Sequence, residues 1–205
     1  MSDVAATLDT MIDELRTDRL LLTPLALDHV DAYYRVYGDP RTLEHLPSGR
    51  HLDRAHSARA IERSMESRRT HGFGHLAVTL REPVGELPPG GFIGTAGAAM
   101  LPFGAWNLGY RFLPEAWGRG LAGEAAAASI EAARATAPDV PVTARVLANN
   151  PASVRVLERL DLELVWQGAS STAPSGPDDT THLERMVFAD RPLDAELLGA
   201  VIALG

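Results

Sequence analysis

The sequence predicts an α/β fold of the α+β kind, built on a mixed β-sheet, from three observations. Strand-like and helix-like segments succeed one another in the order β-α-α-β-β-β-α-β-α-β-β-α. Three strand segments between Gly74 and Leu113 follow one another over short links, as in an antiparallel meander. The later strand–helix–strand unit points to parallel pairing, because parallel neighbours need a crossover. With 205 residues, the chain is long enough for one domain with a full hydrophobic core.

Each element has a local reason. Residues 1–15 read as a peripheral lead-in, and Arg19 to Thr23 as a first strand before Pro24. Asp28 is placed to cap a helix whose Val30, Tyr33, Tyr34 and Tyr37 share one face, with Gly38 and Pro40 ending it. Asp53 caps a second helix with Ala55, Ala58, Ile61 and Met65 on one face, stopped by Gly72. Strands are expected over Gly74–Leu80, Phe92–Met100 and Trp106–Leu113, with Glu82–Gly91 as a turn-rich hairpin connection. An Ala-rich helix starts at about Leu121, spans Glu124–Ala135 and is ended by Pro138. A strand over Val142–Leu147, a helix over Pro151–Leu160 and a strand over Glu163–Gly168 follow. Ser170–Asp179 is a polar loop, His182–Ala189 a last strand, and 193–205 a terminal apolar helix.

Composition removes several classes of function. The formal net charge of -8 argues against a nucleic-acid binder, which needs a basic footprint. It suits a cationic acceptor such as an amine, or simply solubility. The absence of cysteine excludes disulfides, thiolate nucleophiles and cysteine metal sites. The histidines show no metal-ligand spacing: His51 and His56 are five apart, and glycines separate His71 from His75. No apolar run is long enough to cross a bilayer, and the acidic first residues do not resemble a signal peptide, so a cytoplasmic location is expected.

The segment YRFLPEAWGRGLAGEAAAA carries the chemistry. A strand ends near Pro114, Gly118, Gly120 and Gly123 alternate with larger residues, and a helix begins. Unpaired amides and the positive end of the helix dipole then converge where glycines let the chain approach a phosphate. A P-loop is excluded because no Gly-Lys-Ser/Thr closes the turn. The spacing Gly118-x-Gly120-x-x-Gly123 fits a dinucleotide fingerprint, but it follows a meander, and no acidic residue ends a strand about 20 residues later.

The segment PEAWGRGLAGEA resembles the first motif of the GNAT acetyltransferases, (Q/R)-x-x-G-x-(G/A), with Trp117 at the first position, Gly120 at the fourth and Ala122 at the sixth. It is most similar to the branch that acetylates ribosomal proteins. ANNPASVRVLERLDLE, Ala148 to Glu163, resembles a second family block, and LRTDRLLLTPL with YGDPRTLEHLP the branch's opening.

The resemblance implies a mixed, mostly antiparallel central sheet of about seven strands. It further implies helices on both faces, a cleft where the fourth and fifth strands splay, and acetyl-CoA as co-substrate without a metal. The backbone of Tyr110, Arg111 and Phe112 would pair with the pantetheine arm. Trp117, Gly118, Arg119, Gly120, Leu121, Ala122 and Gly123 would form the pyrophosphate turn. Asn150 and Ser153 would sit beside the pantetheine and sulfur; they also read as the N-cap and first turn of a helix begun by Pro151. Glu124 reads first as a dipole partner of its helix.

The implied reaction is direct acetyl transfer to an amine. It needs a base, an oxyanion donor and a hydrogen bond for the thiolate. The catalytic candidates are a backbone N–H near Tyr110 and the hydroxyl of Ser153. The chain departs from the family at Asn107, where Glu is frequent and serves as base, at Leu157, where some relatives carry Tyr, and at Asp161, where Gly is usual. Glu44, His45, His75, Glu86 or bulk water remain for the base. The acceptor is a primary amine, either a protein N-terminus or a small molecule. An acyl-CoA sensor without an acceptor site is the alternative, and the terminal helix LDAELLGAVIAL leaves a homodimer open.

Overall fold

A computed structural model describes residues 12–169 and 183–204. The loop Ser170–Asp179 and His182 lie outside the described residues. The strands are β1 (Leu15–Arg16), β2 (Leu20–Pro24), β3 (His75–Leu80), β4 (Phe92–Met100), β5 (Trp106–Phe112), β6 (Val142–Leu147), β7 (Glu163–Ala169) and β8 (Glu184–Ala189). The helices are α1 (Val30–Tyr37), α2 (Arg54–His71), α3 (Leu121–Thr136), α4 (Pro151–Leu157) and α5 (Ala195–Ala203).

The strands form one eight-stranded sheet in the order β1-β2-β3-β4-β5-β6-β8-β7. From β1 to β5 it is an antiparallel meander. β5 and β6 are parallel, joined by α3 as crossover. β8 then enters between β6 and β7, antiparallel to both. The two-residue β1 begins at the last residue of the expected lead-in and is one strand beyond the expected seven.

Alternation along β3 sorts the core into two layers. Leu76 and Val78 point into a large cluster with Leu20, Leu22, Trp106 and the alanines of α3. Ala77, between them, faces Leu25, Tyr33 and Ile61 on the side covered by α1 and α2. Helices therefore cover both faces. Small residues such as Ala125, Ala126 and Ala133 let α3 pack close to the sheet.

Three local expectations are corrected. Asp28 is not the cap of α1 but lies within a 3-10 turn over Leu27–His29 that precedes it. The inward face of α2 carries Ser57, Ile61 and Ser64, while Met65 is exposed. Hydroxyl hydrogen bonds make that burial tolerable: the Ser64 hydroxyl donates to the His75 carbonyl at 2.8 Å, and Ser57 Oγ lies 3.0 Å from His51 Nδ1. The helix expected over Pro151–Leu160 ends early, and Asp161, which stands where Gly is usual, has no left-handed backbone, since every positive φ among the described residues belongs to glycine. α4 stops at Leu157, and its carbonyls from Val156 and Leu157 close tighter turns with Arg159 and Leu160.

Candidate active site

The site is a gap in the sheet. Pairing between β5 and β6 covers only Trp106, Asn107 and Leu108 against Val142, Thr143 and Ala144. Beyond Leu108 the two strands part. The N–H of Trp106 donates towards β6, to the Pro141 carbonyl at 2.9 Å, whereas that of Leu113 donates to the Ile93 carbonyl in β4 at 2.8 Å. With a period of two, the backbone of Tyr110 and Phe112 faces the gap, and that of Arg111 faces β4. The expectation for this strand thus divides: Tyr110 offers both backbone groups, Phe112 offers its N–H, and its carbonyl accepts from the Trp117 indole at 2.9 Å. Arg111 pairs with Thr95 and contributes its side chain instead.

The phosphate turn follows β5. Gly118 and Gly120 have φ of 73° and 76°, a left-handed backbone that other residues adopt only with strain. α3 starts with Gly120 as N-cap, no side chain caps it, and its first internal bond is Glu124 N–H to the Gly120 carbonyl. Among the described residues, no backbone bond engages the amides of Leu121, Ala122 and Gly123, so they form an anion site at the positive end of a 16-residue helix.

Glu124 braces this turn from the far side. Its carboxylate accepts from the Arg19 amide at 2.9 Å and from Arg19 Nε at 2.7 Å, and Arg19 also donates to the Arg119 carbonyl at 2.9 Å. Although burial opposes it, bonds from Thr17 and Arg19 leave the Glu124 pKa below its ordinary value. The Arg119 side chain turns away from the cleft, towards Gly85.

A cleft of about 660 Å³ is lined by this turn, by Tyr110 to Phe112, and by Asn149 to Ser153 at the start of α4. A second cavity of about 310 Å³ lies where β5 and β6 part, lined by Tyr37, His75, Asn107, Arg145 and Leu157 among others. His45, Tyr110, Arg111, Asn150 and Ser153 line both. Of the four side chains considered as base, Glu44 lines the larger cleft, His75 the smaller, and His45 both; Glu86 lines neither.

At the junction, Asn150 caps α4 by accepting the Ser153 N–H at 3.2 Å. This fixes its amide nitrogen towards Ser153 Oγ at 3.1 Å and His45 Nε2 at 3.2 Å. An amide nitrogen only donates, so His45 accepts at Nε2 and carries its proton at Nδ1. Burial and the Arg111 charge hold the His45 pKa below its ordinary value, with the nearby Glu44 opposing. His75 is depressed further, to about 4, by burial and by Arg111. The Tyr110 hydroxyl donates to the Ser153 carbonyl at 3.2 Å, and burial pushes its pKa up to about 12. The Asn107 Oδ1 is buried without a hydrogen-bond partner among the described residues. Among the described residues, no group of His, Asp and Glu could hold a metal ion.

Sequence reasoning missed the side chains of Arg111 and Tyr37. The Arg111 guanidinium lies 4.4 Å from the centre of the Tyr37 ring. The signal for Arg111 was present, since Asn107, Gly109 and Arg111 share one face of the strand by parity. Tyr37 sat within an apolar helical pattern that read only as core.

Comparisons with known proteins agree with this geometry. A family model described as an acetyltransferase (GNAT) domain matches residues 19–163. An acetyltransferase from Agrobacterium tumefaciens superposes with a TM-score of 0.65 at 27% identity, covering 88% of this chain and 95% of that one. An acetyltransferase from Salmonella typhimurium, described as modifying the N-terminal serine of ribosomal protein L7/L12, superposes at 0.65 with 15% identity over 87% and 97% of the two chains. The microcin C7 self-immunity acetyltransferase, solved with acetyl-CoA and AMP, reaches 0.64 at 13% identity over 84% and 92%. The last two likenesses establish the fold.

Proposed function

The chain belongs to the GNAT acetyltransferase family, and from that premise we propose that it transfers an acetyl group from acetyl-CoA directly to a primary amine. The observation that carries this reading is the junction of two cavities at Tyr110 and Ser153. One approach ends at an anion-binding turn, as a pyrophosphate requires. The other leads to the same point from across the sheet, as a second substrate requires.

The residues fit acetyl-CoA on two counts. The left-handed glycines and free first-turn amides accept a pyrophosphate, and the unpaired edge of β5 at Tyr110 and Phe112 accepts an amide-bearing arm. Acetyl-CoA supplies the activated thioester. The Tyr110 N–H, facing the gap, is aimed at the negative charge that develops on the thioester oxygen. His45, neutral at physiological pH, takes the amine proton at Nε2, exchanging its contact with Asn150 for one with the amine. Ser153 Oγ, held by Asn150, hydrogen-bonds the leaving thiolate, with the Tyr110 hydroxyl behind it. No side chain is acylated, consistent with a chain lacking cysteine.

Free-thiol release from acetyl-CoA, measured against a panel of amines, tests the reading. Amine-dependent release with a matching yield of acetylated amine is expected. Binding of acetyl-CoA with release only at the uncatalysed hydrolysis rate would identify an acyl-CoA sensor instead.

A further inference from the structure

The smaller cavity does not share the acidic character of the chain. The protein carries a formal charge of -8. Yet the described residues lining this cavity include the guanidinium of Arg111 and no Asp or Glu. A bare cationic amine would enter against that charge. The acidic composition, which suited a cationic acceptor, does not describe the place where an acceptor would bind.

Two groups in the cavity lack partners of opposite kinds. Arg111 is half-buried and stacked on Tyr37, and it donates no hydrogen bond and forms no ion pair among the described residues. A guanidinium has five donors in a planar fork that matches a carboxylate or phosphate. The second group is Asn107 Oδ1, buried and unpartnered, an acceptor that wants an N–H. The two residues lie four apart on the same face of β5. Gly109 between them has no side chain, and the His75 ring packs against it, with Nε2 2.8 Å from where a Cβ would stand. A substrate with an N–H donor at one end and an anion at the other would satisfy both.

Resting on the proposed amine acetylation, we propose that the acceptor is a small molecule bearing an anionic group, carboxylate or phosphate, on the same skeleton as its amine, with Arg111 holding the anion and Asn107 receiving an amine N–H. A volume of about 310 Å³ suits a molecule of amino-acid size. Burial, with the field of Arg111 added to it, holds both imidazoles of the cavity below their ordinary pKa. An anion bound there offsets that charge.

Matched acceptors test this. Amino acids are compared with their amides, and aminoalkyl phosphates with the corresponding amino alcohols, on wild-type protein, Arg111→Gln and Arg111→Lys. The anionic member of a pair should have a kcat/KM about ten- to a hundredfold higher, as expected for a charge-assisted hydrogen bond. That preference should fall towards one in R111Q and be partly kept in R111K, while the KM for acetyl-CoA stays close to wild type. The larger preference among the pairs identifies carboxylate or phosphate. Equal or better turnover of the neutral members, a preference unchanged in R111Q, or turnover confined to peptide N-termini would overturn the proposal. Should no amine be acetylated, the proposed function fails, but calorimetric titration of the same pairs into the CoA-loaded protein still reads the anion preference. Tighter binding of the anionic member, lost in R111Q, would uphold it, and equal binding would refute it.

Discussion

The His45 Nε2 lies 3.2 Å from the Asn150 Nδ2, joining segments 105 residues apart in sequence across the mouth of the cleft. One comes from the connection between α1 and α2, the other from the cap of α4. The contact sets both the tautomer of His45 and the direction of its lone pair. If His45 accepts the amine proton, kcat/KM must rise with pH as the ring loses its charge. Its depressed pKa places that acid limb below the ordinary histidine value of 6.5. His45→Gln should lower kcat by about 10²-fold or more and remove the limb. Asn150→Ala should shift the limb and lower kcat less. A pH–rate profile on the three proteins checks this.

Gly109 has no room for a side chain. A Cβ placed there would meet the His75 Nε2 at 2.8 Å. Gly109→Ala should therefore cost about 1–3 kcal/mol of stability, as overpacking does, and close the acceptor cavity. Adding His75→Ala should recover part of both losses. Denaturant unfolding and acceptor KM for the single and double variants measure the coupling.

His51 and His75 both have pKa values depressed to about 4, in each case mainly by burial. An unfolded chain takes protons on these rings at about 6.5, before the folded one does. The folded protein then binds fewer protons between the two values, so stability is full above pH 6.5 and declines as pH falls towards 4. Each ring contributes a slope of at most roughly 1.4 kcal/mol per pH unit. Stability followed from pH 7.5 to 4 should show this decline, and His75→Gln should flatten it.

The turn that precedes α3 depends on its backbone. Gly120→Trp forces a side chain onto a φ of 76° at the proposed pyrophosphate site. It should abolish acetyl-CoA binding, at a stability cost of about 1–2 kcal/mol from left-handed strain. Glu124→Ala removes the brace from Arg19 and Thr17, and should cost about 2–3 kcal/mol, as charge-assisted hydrogen bonds do. It should weaken acetyl-CoA binding only in proportion to the loosened turn. Thermal melting with and without acetyl-CoA separates the two effects.

The elements that were legible in the sequence are those whose signals are local. The caps at Asp53 and Asn150, the left-handed stop at Gly72 and the start of α3 at Leu121 each follow from residues within one turn. The phosphate turn was legible for the same reason. Pairings between distant segments were not. The insertion of β8 between β6 and β7 depends on which edge is free when the last strand arrives. The inward serines of α2 defeated the periodicity because hydroxyls bonded to His51 and His75 do not register as apolar. The unsatisfied Asn107 and the cation above Tyr37 appear only when the sheet brings α1, β5 and β6 together.

The central claim is that acetyl-CoA lies along the unpaired edge of β5 with its pyrophosphate on the turn before α3. Hydrogen–deuterium exchange on the protein with and without acetyl-CoA tests it most directly. Slowed exchange is expected in peptides containing Tyr110, Phe112 and Leu121–Gly123, with little change in β2 and β3. Tight binding that leaves those amides unprotected, or no binding at millimolar acetyl-CoA, would contradict it.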